Sequence, residues 1–104
     1  MSIEEYCSAL AFTEVPSSQV VHIGEEAVFR CHHSTTRLID WIVNGTLLDH
    51  PPPPDIIPST EDGTQVATLT IIARPEYNGT VVKCEAVFRN ASPEISPAAI
   101  LQGN

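Results

Sequence analysis

Short runs of alternating apolar and polar residues dominate the chain. No window keeps an apolar stripe at the 3.6-residue spacing of a helix, whereas six runs bounded by turn residues have the features of β-strands. The predicted strands are 18–23, 26–32, 38–44, 64–72, 80–88 and 97–103. The pattern therefore predicts an all-β protein.

A proline-rich stretch separates the third predicted strand from the fourth. Residues 51–54 are four consecutive prolines, which cannot donate hydrogen bonds to a sheet and favour polyproline II geometry. We expect a stiff crossover at the sheet edge, with short edge strands near 46–48 and 55–58. The alternative is a docking motif for a proline-reading module, although such motifs usually lie in exposed flexible tails.

Three predicted strands carry informative residues on their inward faces. Cys31 lies inward on the second strand, Trp41 on the third and Cys84 on the fifth. Two sheets packed about 10 Å apart leave room for a disulfide between them with an indole beside it. Both cysteines and the tryptophan therefore belong to one predicted core.

This arrangement resembles the immunoglobulin fold over most of the chain. Other residues that carry the resemblance are Gly24-Glu25 before the second strand, Leu69 and Ile71 in the fourth, and the Leu-Gln-Gly ending at 101–103. The resemblance implies a two-sheet antiparallel β-sandwich of seven or eight strands in Greek-key order.

The same resemblance implies a Cys31–Cys84 disulfide packed against Trp41. The bridge closes a loop of about fifty residues, worth about 4 kcal/mol in the chain-entropy account. Two features depart from the family pattern: Val82 stands where a corner tyrosine is usual, and Asn78 replaces the corner aspartate. The turn before the fifth strand must therefore be held in another way.

The cysteine separation of 53 residues is short for a variable-type domain. It suits a C2-type or I-type domain, so antigen binding by end loops is not implied. The length of 104 residues predicts a single domain over 1–104, with residues 1–9 as a frayed N-terminal segment.

The formal net charge of -8 makes nucleic acid and anionic lipid unfavourable partners. No apolar run approaches the roughly 18 residues of a membrane span, so we expect no membrane insertion by this domain. The start, MSIEEYCSAL, lacks the basic and apolar regions of a signal peptide. It fits a cytosolic protein, or a mature fragment with an added Met1.

Three asparagines stand two residues before a serine or threonine, as glycan acceptors do: Asn44, Asn78 and Asn90. Together with the predicted disulfide they predict an extracellular protein, either secreted or on the cell surface. The competing interpretation is that Asn-Gly, present at the first two positions, is a common turn pair.

No residues suggest catalysis, a metal or a cofactor. His32 and His33 are consecutive and point to opposite faces of a strand, and no catalytic motif occurs. Cys7 has no partner if the other two cysteines pair. Cys7 is expected to be a free thiol, or to form a disulfide with another chain or with a neighbouring domain.

The outward residues of three predicted strands mix aliphatic side chains with both charge signs, as protein contacts do. The predicted contact residues are Leu38, Asp40, Ile42, Val81, Lys83, Glu85, Val87, Arg89 and Ile100. The competing interpretation is that scattered exposed aliphatics are ordinary, because the other sheet also exposes Val28, Val66 and Ile72.

These observations predict non-catalytic recognition of another protein, by adhesion or receptor–ligand binding. The partner would be a receptor, a ligand or a second copy. Two alternatives stay open: a structural spacer or intracellular muscle-type immunoglobulin module, and a module for small ligands or carbohydrates. The second requires an aromatic cluster at the loops, and the chain has only six aromatic residues.

Overall fold

The computed structural model describes residues 11–61 and 63–104 and confirms the all-β prediction. The frayed segment predicted at 1–9, with Cys7, lies outside the described residues. One 3-10 turn, Pro75–Tyr77, precedes β8. The strands are β1 (Phe12–Glu14), β2 (Gln19–Val21), β3 (Glu26–His33), β4 (Ile39–Val43), β5 (Thr46–Leu47), β6 (Ile56–Thr60), β7 (Ala67–Ile72), β8 (Val81–Ala86), β9 (Glu94–Ile95) and β10 (Ala99–Gly103).

The strands form two sheets of a β-sandwich, as the resemblance to the immunoglobulin fold implies. The smaller sheet has the order β1-β3-β7-β6. The larger sheet has the order β2-β10-β8-β4-β5, and β9 pairs with β8 beyond the end of β10. Neighbouring strands are antiparallel, except that β2 runs parallel to β10.

The described residues contain ten strands rather than the predicted seven or eight, because two segments are each interrupted and counted as two strands. The chain passes from β1 in the smaller sheet to β2 in the larger one through a break that contains Pro16. Pro97, which has no N–H, lies in the break between β9 and β10. There Ser96 keeps contact with β8, since its N–H and hydroxyl both bond the Cys84 backbone at 2.9 Å.

The core lies where the two sheets face each other. The predicted Cys31–Cys84 disulfide is present and joins β3 to β8, with 6.5 Å between the Cα atoms. Trp41 lies opposite Cys84 in the register of β4 and β8 and is buried, as predicted. The other buried members of this core are Ala27, Phe29, Ile56, Ala67, Leu69, Ile71, Val82, Ala99 and Leu101.

The turn before β8 is held without a corner tyrosine. Val82 is fully buried in the core, and the preceding turn is tied to β10 by hydrogen bonds. The Gly103 N–H donates to the side-chain oxygen of Asn78 at 3.1 Å, and the Gly79 N–H donates to the Leu101 carbonyl at 2.8 Å. These bonds explain how the sequence tolerates the missing tyrosine.

Candidate interaction surfaces

The outer face of the larger sheet collects most of the predicted contact residues. Leu38 and Val87 adjoin the strand ends, where the Val87 N–H donates to the Leu38 carbonyl at 2.9 Å. Arg89 is exposed beyond β8. The remaining six lie on β4, β8 and β10 and are Asp40, Ile42, Val81, Lys83, Glu85 and Ile100. We call these nine residues the sheet face.

The cross-strand register orders the sheet face into rows. Ile42 stands between Leu47 of β5 and Lys83 of β8 in one row, and Ile100 stands beside Val81 in another. The prediction that Ile42 is exposed is wrong, because only 9% of it is accessible. Its row neighbour Leu47 is 55% exposed, so the apolar surface in this row belongs to Leu47.

Sequence reasoning missed three exposed aliphatic residues in the larger sheet: Val20, Leu47 and Ile95. They lie on β2, β5 and β9, which are strands of two or three residues. Such strands are too short for alternation to indicate an outward side. Each extends the sheet face at its edges.

Two acidic residues occupy one row of the sheet face. Asp40 of β4 lies directly opposite Glu85 of β8, and Glu85 in turn pairs with Ile95 of β9. Like charges directly opposite each other on neighbouring strands destabilise a sheet. A cationic group placed over this row would relieve the repulsion.

The outer face of the smaller sheet has a different character. Arg30 of β3 donates to Glu61 at 2.6 Å and to Glu14 at 2.8 Å, so its guanidinium joins three segments. These hydrogen bonds, from Glu61 first, hold the pKa of Arg30 above its usual range. Val28 is exposed as predicted, but the prediction that Val66 is exposed is wrong, since it is 8% accessible.

The histidines are structural or exposed. His33 is buried between the rings of Phe12 and Phe88, which it meets edge-on at 5.0 and 5.3 Å. Its Nδ1 accepts the Thr35 N–H at 3.1 Å, so Nε2 carries the proton that bonds Glu94 at 3.0 Å. Across residues 11–61 and 63–104, no three His, Cys, Asp or Glu side chains are grouped as metal ligands would be.

Two of the predicted glycan acceptors hold turns. Asn44 and Gly45 both have positive φ, 52° and 86°, as in the tight hairpin turn that joins β4 to β5. The side-chain oxygen of Asn44 accepts the Val81 N–H at 2.9 Å. Asn78 has the comparable bond to β10 described above, whereas Asn90 is exposed. The geometry therefore accounts for the first two asparagines without a glycan.

We expect Asn44→Ala to lower the free energy of unfolding by about 1–2 kcal/mol. The change removes a hydrogen bond to a backbone N–H and places alanine in the left-handed region. Asn90→Ala removes an asparagine that also has a glycan-acceptor sequence. It should change the free energy of unfolding by no more than about 0.5 kcal/mol. Urea denaturation of both variants measures the difference, and equal losses would contradict the turn role.

Comparisons with known proteins rest on structure alone. No protein-family model and no curated sequence matches the chain. An I-band fragment of titin matches with a TM-score of 0.71 at 22% identity over 88% of this chain and 31% of that one. Titin domains z1z2 in complex with telethonin match with a TM-score of 0.69 at 26% identity, over 89% of this chain and 46% of that one. A chain in the structure of the titin M10–obscurin-like 1 complex matches with a TM-score of 0.70 at 19% identity, over 89% of this chain and 91% of that one.

The sandwich, the disulfide, the buried tryptophan and these similarities identify the chain as an immunoglobulin-like domain. It spans less than half of the I-band fragment and of z1z2. The predicted extracellular location is wrong, since the similar structures are titin domains, which are intracellular. The inference failed because two of the three asparagines are explained by turns. In the part of the chain that the structure describes, no helix is long and apolar enough to cross a bilayer.

Proposed function

We propose that this domain is an intracellular, non-catalytic immunoglobulin-like module that forms part of a protein scaffold and contacts a protein partner. The observation that carries the proposal is its similarity, over 88–89% of the chain, to titin modules. Two of those structures contain a protein partner, telethonin in one and an obscurin-like 1 domain in the other. The adhesion and receptor–ligand functions predicted from the sequence receive no support from these relatives.

We propose the sheet face as the contact surface. Leu38 and Ile100 are about half exposed there, and Leu47 and Val20 extend the apolar area at its edges. The smaller sheet offers a weaker alternative, because the Arg30 ion pairs occupy its outer face. An apolar centre with a charged rim is the arrangement of residues found in protein interfaces.

The partner of the sheet face is a protein that presents an apolar patch with a basic group beside it. The row formed by Asp40 and Glu85 places two like charges together, and the whole chain carries a net charge of -8. A partner arginine or lysine over that row would relieve the repulsion and steer association. The acidic row therefore sets both the sign and the position of the complementary charge.

A matched pair of substitutions tests the sheet face. Ile100 on the larger sheet and Ile57 on the smaller one are 44% and 45% exposed. We expect Ile100→Glu to reduce partner recovery at least ten-fold, because a charge is buried in the contact. Ile57→Glu should leave recovery unchanged. Quantitative affinity purification of tagged proteins from the native cells measures both, and equal behaviour of the two variants rejects the surface.

Lys83 supplies a second readout at the same place. It is the only lysine of the chain and lies in the row of Ile42. Acetylation of the native complex with an amine reagent should modify Lys83 several-fold less than acetylation of the purified domain. Mass spectrometry of the same samples also tests the location, since Asn44, Asn78 and Asn90 should all be free of glycan.

A further inference from the structure

A groove lies between β4 of the larger sheet and β6 of the smaller one, and we call it the edge groove. It has two adjoining chambers, of about 200 Å³ and about 240 Å³, which share Ile39, Trp41 and Pro58 in their walls. The first chamber lies beside β5, and the second lies toward the start of β7. The edge groove therefore opens along one edge of the sandwich rather than on either outer face.

Main-chain groups on both walls of the edge groove have no partner strand. Hydrogen-bonded positions alternate along an antiparallel ladder. The Asn44 N–H bonds β8, so the N–H and C=O of Ile39 point away from β8, and β5 does not extend far enough to pair with them. The Glu61 N–H donates to the chain just before β7, so the N–H and C=O of Thr60 point away from β7. Each wall thus offers one free donor and one free acceptor.

The indole of Trp41 adds a third free donor. Trp41 is only 4% exposed, and its N–H donates no hydrogen bond in the part of the chain that the structure describes. Within that part, the fully enclosed side-chain atom without a partner is Oε2 of Glu61, so the indole N–H reaches accessible surface. Trp41 lines both chambers of the edge groove. Since a buried indole N–H usually has an acceptor, an occupant that supplies one is favoured.

The two chambers differ in charge. Arg37 lines the second chamber, is exposed and forms no ion pair within residues 11–61 and 63–104. Asp40 lines the first chamber together with Leu47 and Leu48. A carboxylate is attracted to Arg37 and repelled by Asp40. The first chamber therefore favours an apolar group, and the second favours an acidic one.

An extended peptide has the geometry to satisfy both chambers. Alternate side chains of a strand point to the same side, about 7 Å apart. An apolar side chain can enter the first chamber while a carboxylate two residues away reaches Arg37. The peptide main chain can bond the free groups of Ile39 and Thr60 and offer a carbonyl to the Trp41 N–H. Peptides that add to a sheet edge gain affinity from main-chain bonds and specificity from such pockets.

We propose that the edge groove binds an extended segment of a partner protein in which an apolar residue and an Asp or Glu stand two positions apart. The free main-chain groups favour a peptide over a small amphiphilic acid, and Arg37 fixes the sign of its charge. This contact is separate from the sheet face, so either can fail without the other.

The test titrates the full 104-residue chain with two capped peptides, Thr-Leu-Thr-Glu-Thr and the reverse order Thr-Glu-Thr-Leu-Thr. Trp41 is the only tryptophan, so its indole N–H gives a single resonance in a nitrogen-15 NMR spectrum. We expect one of the peptides to shift this resonance and the amides of Ile39 and Thr60, with a Kd of roughly 0.1–1 mM. The same peptide with lysine in place of glutamate should bind about five-fold more weakly.

A matched pair of variants tests the charge. Arg37→Gln should weaken binding of the glutamate peptide about five-fold at low salt. Gln102→Glu makes the same change in net charge at an exposed position of β10 and should leave binding unchanged. Hexanoate, which has an apolar chain and a carboxylate but no peptide main chain, should bind about ten-fold more weakly than the peptide.

Three results would overturn the proposal. The first is that neither glutamate peptide shifts the indole resonance at about 5 mM. The second is that Arg37→Gln and Gln102→Glu have equal effects on binding. The third is that hexanoate binds as tightly as the peptide, which would make the edge groove a site for small amphiphilic acids.

Discussion

Replacing Cys31 and Cys84 together with alanine is expected to lower the free energy of unfolding by about 4 kcal/mol. The bridge closes a loop of 53 residues and so restricts the unfolded chain. Both cysteines are also fully buried in the core, where lost sulfur volume adds a packing cost. A small domain has about 5–15 kcal/mol of stability in total, so this loss is a large share of it.

Urea denaturation followed by fluorescence measures this loss, because Trp41 is the only tryptophan and is buried. Cys7→Ser should be present in every sample, so that no third thiol exchanges with the bridge. The Cys7→Ser chain with Cys31 and Cys84 intact, unfolded, reduced and refolded in reductant, provides the matched control, since it keeps both core sulfur atoms. A double variant within about 1 kcal/mol of the oxidised protein would show that the bridge adds little.

The same comparison bears on the proposed location. An intracellular compartment keeps most thiols reduced. A domain in which the bridge has not formed there would have the stability of the reduced control. Folded protein should resist reduction, because neither buried sulfur is accessible to an attacking thiolate. The bridge would then break only when the domain unfolds. Reductant added to folded and to urea-unfolded protein should therefore act at very different rates.

The sequence predicted those features of the fold that depend on local alternation. The strands that carry Cys31, Trp41 and Cys84 could be placed because each has five or more residues, which is long enough for its inward positions to be recognised. Two strands, β1 and β9, were missed, since three and two residues show no alternation. Pairing with β3 and β8, which are distant along the chain, defines them.

The surface could be predicted only in part, because exposure depends on neighbours across the sheet. Ile42 has the outward position that alternation assigns to it, yet only 9% of it is accessible in the row that it shares with Leu47 and Lys83. The Asn-Gly-Thr sequences were ambiguous, since the same residues form a glycan acceptor site and a hairpin turn. Only the positive φ of Asn44 and its bond to Val81 distinguish the turn.

A pair of leucines tests whether burial between the sheets is the main source of stability. Leu69→Ala should lower the free energy of unfolding by about 3 kcal/mol, whereas Leu47→Ala should change it by no more than about 0.5 kcal/mol. Leu69 is fully buried, and its strand β7 is held between β3 and β6, so the backbone cannot close the cavity. Leu47 is 55% exposed in the edge strand β5, where water fills the space.

Both substitutions exchange leucine for alanine within a strand, so the same side-chain atoms are removed and the surroundings of the two leucines account for the difference. Urea denaturation should show a lower midpoint with an unchanged slope for Leu69→Ala, because the surface exposed on unfolding is nearly the same. Similar losses for both variants would mean that the space between the sheets can collapse around Leu69. The disulfide would then be the dominant constraint on the sandwich, because packing at the centre of the smaller sheet would be replaceable.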